Sequence, residues 1–257
     1  MRKPILAGNW KMNKTNSELS DFFGALNSQL VDKWSDYVEV VFAVPYTLLQ
    51  GAVELTKNTP VVIAAQNVNQ HTDGAYTAEV SAAMLQDVGV SSTLVGHSER
   101  RQYYGETNAS VTEKVKACLA SGISPIACVG ETQKERESGV TEDVVGKQVL
   151  AILAAVSGLT KLVIAYEPVW AIGTGLTASD EQADQVHSFI RGVVAEKFSE
   201  QQAQSLRILY GGSAKPTNID GLLKQENIDG GLVGGASLKP DDFASMINQA
   251  VELYRRS

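Results

Sequence analysis

One segment combines a carboxylate, a proline and paired glycines in a way that neither a core strand nor an ordinary loop requires. Residues 161–166 read as the end of an apolar strand. Glu167 follows, and then Pro168, which cannot donate to a sheet ladder and so stops the strand. Next come Trp170, Ala171, Ile172, Gly173, Thr174 and Gly175. A buried segment has no need of those glycines, and a solvated loop has no need of Trp170 and Ile172. An apolar, hinged segment beside a lone carboxylate suits a lid over a general base. Gly173, Gly175 and Ala178 also match the pattern G-x-G-x-x-A. That dinucleotide turn needs its first glycine directly after a strand, whereas Gly173 stands seven positions past Tyr166, so the match is set aside.

Other residues of reactive type stand just beyond apolar runs. Asn9, Trp10 and Lys11 follow the first run, and His97, Ser98, Glu99, Arg100 and Arg101 follow the fourth. Gly211, Gly212 and Ser213 follow the seventh, and Gly234 and Gly235 the eighth. Singly, each has a bland reading: Lys11 as a surface charge, His97 as a satisfied core histidine, Glu167 as a salt-bridge partner. Together on one face they make a site with one lysine, one histidine and one exposed carboxylate between two glycine-rich turns. Those turns can offer bare N–H groups to a phosphate. Lys11 supplies a positive charge, Glu167 a base, and His97 and Asn9 donors to a developing oxyanion. No cluster has metal-ligand spacing, no Ser–His–Asp set is evident, and no cofactor is expected.

The elements that must carry these residues are legible in the apolar pattern. Eight runs recur at residues 5–8, 38–44, 61–65, 93–96, 124–129, 162–166, 207–210 and 231–234. Most lack strict alternation, as strands covered on both faces do. Helical stripes lie between them. One runs through Leu19, Phe22, Phe23, Leu26 and Leu30 behind a capping box at Thr15 and Glu18. Another takes in Val186, Phe189, Ile190 and Val193. A third takes in Phe243, Met246, Ile247, Ala250, Val251 and Tyr254 after Pro240. Eight strand–helix units with parallel pairing predict a (β/α)8 barrel of the α/β class, one domain over residues 1–257, with an open doubly wound sheet as the rival. In such a barrel chemistry sits at the C-terminal ends of the strands, where the residues above fall.

Composition narrows the partners. A formal charge of −7 over 257 residues argues against nucleic acid, and an anionic substrate must be held by local groups. No apolar run approaches the ~20 residues of a membrane span, and residues 1–8 lack the apolar stretch of a secretory signal. The expectation is a cytoplasmic protein. Cys118, on a helical pattern, and Cys128, on a strand, read as buried reduced thiols.

Five motifs carry a resemblance. They are Asn9-Trp10-Lys11-Met12-Asn13, the run from Gly96 to Arg101, the run from Ala165 to Gly175, Tyr210-Gly211-Gly212-Ser213, and the run from Leu232 to Ser237. They resemble, collinearly over essentially the whole chain, those of the triosephosphate isomerase family. The resemblance implies a (β/α)8 TIM barrel that interconverts glyceraldehyde 3-phosphate and dihydroxyacetone phosphate in glycolysis and gluconeogenesis, without a cofactor. It implies Glu167 as the base, neutral His97 as the proton shuttle, and Lys11 and Asn9 as stabilisers of negative charge. Gly173, Ser213, Gly234 and Gly235 would bind the phosphate, and Ser98 and Glu99 would support His97 and Lys11. Residues 66–77 resemble the family's long third loop, which implies a homodimer. Ala78 departs from the usual glycine, and Leu176 from a frequent lysine. The residues by themselves leave open another phosphosugar barrel, such as an aldolase or synthase, and a binding protein without turnover.

Overall fold

The computed structural model describes residues 2–172 and 177–256. Eight parallel strands follow one another: β1 (Ile5–Asn9), β2 (Glu39–Val44), β3 (Val62–Ala65), β4 (Ser92–Val95), β5 (Ser124–Val129), β6 (Val163–Tyr166), β7 (Arg207–Tyr210) and β8 (Gly230–Val233). They pair in sequence order, and β1 pairs with β8 through Ile5↔Gly230 to Gly8↔Val233, which closes the barrel. The rival open sheet is thereby excluded.

The runs lack strict polar alternation because each strand has two apolar faces. Ile5, Ala7, Val41, Ala43, Ala64, Leu94, Ile126, Cys128, Val163, Ala165, Leu209 and Leu232 form one buried cluster inside the barrel. Their neighbours Leu6, Val40, Phe42, Ala127, Ile164 and Ile208 belong to a second, larger cluster beneath the helices. Side chains alternate along a strand. Two residues past the inward residues Ala7, Ala165, Leu209 and Leu232 therefore come Asn9, Glu167, Gly211 and Gly234, all at the barrel mouth. The strand period itself brings these four positions to one place.

The helices follow the expected stripes, except that Leu30 falls past the end of the first helix and the stripe on Asp180–Lys197 is shifted by polar residues. Leu19, Phe22, Phe23 and Leu26 are the buried face of the helix Asn16–Asn27, and the Glu18 carboxylate accepts the Thr15 N–H at 2.8 Å. Phe243, Met246, Ile247, Ala250 and Val251 are buried on Pro240–Arg255. On Asp180–Lys197 the buried residues are Ala183, Val186, His187, Ile190, Arg191 and Val194, while Phe189 and Val193 are half-buried. Arg191 explains the shift. Its guanidinium donates to Asp229 at 2.8 Å and to the carbonyls of Ala203 and Leu206, so a polar residue takes an inward position at no cost in unpaired charge.

Candidate active site

Asn9, Lys11, His97, Glu167, Ser213, Gly234 and Gly235 all line one cavity of about 390 Å³ at the C-terminal mouth of the barrel. Among the described residues, no group of three His, Cys, Asp or Glu side chains is placed to hold a metal ion.

Lys11 is set by Trp10. The indole is buried, donates to the Ser237 carbonyl at 3.1 Å, and packs edge-on against Phe22 and Phe42 at 4.8 and 5.7 Å. Lys11 itself has φ 53, a left-handed conformation costing roughly 1–2 kcal/mol. Aromatic pairs contribute roughly 0.5–1.5 kcal/mol each beyond burial, so the anchor outweighs that strain. The Lys11 N–H donates to Asn9 Oδ1 at 3.0 Å, which leaves Asn9 Nδ2 as the donor available to a ligand. Lys11 Nζ pairs with Glu99 at 2.6 Å, and Lys11 Cε lies 3.7 Å from where a Cβ on Gly234 would stand.

His97 leaves β4 through Gly96, whose φ is +71 and where a Cβ would come within 2.7 Å of Val111; glycine is required there. It caps the helix Ser98–Tyr104. Its Nδ1 accepts the Glu99 N–H at 3.2 Å, so the proton of the neutral ring is on Nε2. Nε2 lies 2.9 Å from Glu167 Oε1. Burial disfavours the imidazolium, but the Glu167 and Glu99 carboxylates together hold the ring's pKa above its ordinary value. Protonation at Nδ1 would set two N–H groups against each other, so the Glu99 N–H opposes that shift and favours the tautomer with its proton on Nε2.

Glu167 was expected as an exposed carboxylate and is instead only 2 % exposed. It is turned inward: Oε2 accepts the Ser98 N–H at 2.9 Å, and Oε1 takes His97 and, at 3.3 Å, the Ser98 hydroxyl. Burial alone would raise its pKa. His97, the Ser98 amide and Lys11 together hold it below the ordinary value instead, so the group stays an anion with a basic lone pair. Ser98 thus supports Glu167 directly, and Glu99 supports both Lys11 and His97.

The glycine turns line the same cavity, with Gly211 directly against Glu167 and Gly234 beside Lys11. A Cβ on Gly211 would fall 2.8 Å from Glu167 Cγ, and one on Gly212 would fall 2.3 Å from the Tyr210 hydroxyl. A Cβ on Gly235 would meet nothing within 4 Å. Gly235 begins a short 3-10 turn, Gly235–Leu238, whose first N–H groups have no partner inside the turn and suit an anion. Gly173, expected beside them, lies outside the described residues, as does Leu176. Of the lid, Pro168 leads into a short turn, Val169–Ala171, and Ile172 reaches the cavity.

Two polar side chains near the site escaped the sequence reasoning. Glu131 is fully buried, and its Oε1 accepts from Tyr166, Trp170 and Arg136 at 3.0–3.2 Å. Gln66 donates to the carbonyls of Lys11 and Ala43. Glu131 stands just past β5, an end the strand-end search passed over. Gln66, the first residue after β3, was read as the start of the long loop and not as a support for Lys11.

The fold agrees with the comparisons. A family model described as triosephosphate isomerase matches residues 4–250. Relatives named triosephosphate isomerase include those of Geobacter metallireducens, 49% identical over 96% of this chain and 99% of the relative. Those of Chlorobium chlorochromatii, 49% identical over 97% and 99%, and Solibacter usitatus, 49% identical over 96% and 100%, are similarly near. The chain belongs to the triosephosphate isomerase family.

Proposed function

We propose that this chain interconverts D-glyceraldehyde 3-phosphate and dihydroxyacetone phosphate by moving one proton between C1 and C2 through an enediolate, a step of glycolysis and, in reverse, of gluconeogenesis. The carrying observation is the His97 tautomer: a ring whose Nδ1 is occupied by Glu99 N–H offers its Nε2 proton beside the Glu167 carboxylate, both on one cavity wall.

In this reading Glu167 removes the carbon-bound proton. The electron pair moves onto the carbonyl oxygen, which takes hydrogen bonds from His97 Nε2 and Asn9 Nδ2. His97 passes its proton to that oxygen and recovers one from the neighbouring hydroxyl, and Glu167 returns the carbon proton to the adjacent carbon. Lys11 offsets the negative charge that grows on the oxygens. Ser213, Gly234 and Gly235, with Gly173, hold the phosphate. The Glu167–His97 bond must be exchanged for bonds to substrate, so binding and activation of the base are one event. The direct test is Glu167→Asp, which withdraws the carboxylate by about one methylene. Misplacement of ~1 Å can cost ~100-fold, so kcat should fall by that order while KM changes little; an unchanged kcat removes Glu167 from this role.

The reading extends to a homodimer in the cytoplasm. Supporting the dimer, the cavity of about 300 Å³ beside Lys11 is edged by Met12, Tyr46 and Tyr104, and Met12 and Tyr104 are 96% and 70% exposed. The long segment between β3 and Ser81 carries Tyr76, 45% exposed and stacked on His71 at 4.2 Å. It is the arm that would fill a partner's cavity beside Asn13. In that arm Ala78 holds φ 73, a conformation the family's usual glycine adopts freely. Free, buried Cys118 and Cys128 suit a reducing compartment. Light scattering should give twice the chain mass at micromolar concentration; a fully active monomer overturns the dimer.

A further inference from the structure

The turn after β5 is held from outside the barrel by one side chain. Gln148 lies on the helix Thr141–Leu153, whose Val145, Val149 and Ile152 are buried. Its Oε1 accepts the Gly130 N–H at 2.7 Å, and its Nε2 donates to the Gly130 carbonyl at 3.0 Å. One amide therefore satisfies both main-chain groups of a single residue, as a neighbouring strand would.

Gly130 is the surface on which Glu167 rests. A Cβ there would fall 1.8 Å from the Glu167 carbonyl oxygen, so the two main chains are in direct contact. The Glu167 N–H donates to Val129 O at 2.7 Å. One residue further on, the Glu131 carbonyl accepts Val169 N–H at 3.1 Å, and its carboxylate accepts Trp170 Nε1–H at 3.0 Å. Residues 129–131 thus carry the main chain of the base on one side and the first turn of the lid on the other. A shift of Gly130 is transmitted to both without passing through the phosphate turns after β7 and β8.

We infer that Gln148 is a positioning residue for the reaction: its two hydrogen bonds to Gly130 fix the platform that aims Glu167. The inference rests on Glu167 being the base. It separates Gln148 from a merely structural glutamine, because the defect should fall on proton transfer far more than on anion binding, which the turns after β7 and β8 chiefly supply.

The test compares Gln148→Met and Gln148→Glu with the parent. Methionine keeps the length and the helix propensity and removes both hydrogen bonds. Glutamate keeps only the acceptor for Gly130 N–H. For Gln148→Met the expected result is a kcat lower by about tenfold or more, with the inhibition constant of inorganic phosphate within about twofold of the parent. Deuterium at the transferred position of the substrate should slow kcat more in this variant than in the parent, because proton transfer becomes more limiting. Gln148→Glu should lie between the two. The inference is overturned if kcat stays within about twofold in both variants. It is equally overturned if kcat and phosphate binding weaken by the same factor with an unchanged isotope effect. Glu167→Gln in the same assay separates the two layers. If that variant is inactive while Gln148→Met matches the parent, only the role of Gln148 fails; if it keeps parental activity, the base assignment fails and takes this inference with it.

Discussion

His187 should make the protein sensitive to acid well above the pH at which its carboxylates protonate. The ring is 0 % exposed, lies edge-on to Tyr166 at 5.7 Å, and has neither nitrogen in hydrogen-bonding geometry with a partner. Burial pushes its pKa down to about 3 from 6.5. The Asn227 carbonyl, and less so that of Ile208, opposes the effect, and the Arg191 cation adds to it. The sign follows from proton counting. Between those two values the unfolded chain binds a proton at this residue and the folded chain does not. The neutral ring's contribution is therefore complete above the unfolded value and is lost as pH falls through 6.5 toward 3. At about pH 4.5 the gap spans about two units, and at about 1.4 kcal/mol per unit the loss is about 3 kcal/mol. His187→Phe keeps an aromatic ring at the site and removes the titration. Urea unfolding at fixed protein concentration should show the parent losing about 3 kcal/mol more than this variant between about pH 7.5 and pH 4.5. Equal losses in the two proteins would refute the argument.

Gly211→Ala places a Cβ 2.8 Å from Glu167 Cγ and 3.0 Å from the Tyr166 carbonyl oxygen, so the base must move. We expect kcat to fall by tens- to about a hundredfold in steady-state assays, with the fold intact by circular dichroism. Lys11→Met removes the cation beside Gly234 and should lower kcat/KM by more than about a hundredfold, a larger loss than Glu167→Asp; Glu99, 40% exposed, can turn to solvent, so the melting temperature should change little. Deleting residues 172–175 should collapse isomerisation while free phosphate and methylglyoxal appear, because an uncovered enediolate phosphate eliminates in water; unchanged product purity would remove the lid from the account.

The barrel was legible because each strand is an apolar run covered on both faces, and the run limits fall within a residue of β1 through β8. The convergence of Asn9, Glu167, Gly211 and Gly234 was legible too, since strand period and strand end place them. What the chain does not display is partnership across distant segments. Glu167 reads as an exposed carboxylate because nothing near it in sequence announces the Ser98 amide and His97 that draw it inward. His187 and Arg191 were passed over on an otherwise apolar stripe for the same reason. Arg191 is tolerated in the core through Asp229, 38 residues away, and the carbonyls of Ala203, Leu206 and Asn227. Gln148 is the extreme case: an ordinary helix glutamine by type and position, whose role exists only in its two contacts with Gly130.

The central claim is that Glu167 carries the proton between the two carbons, and isotope exchange reads it most directly. Dihydroxyacetone phosphate incubated with the protein in deuterium oxide should yield glyceraldehyde 3-phosphate, with solvent deuterium entering the carbon that gains the proton. Glu167→Gln should bind inorganic phosphate like the parent yet show neither product nor carbon-bound deuterium at more than about a thousandth of the parental rate. Exchange by Glu167→Gln at the parental rate would contradict the account.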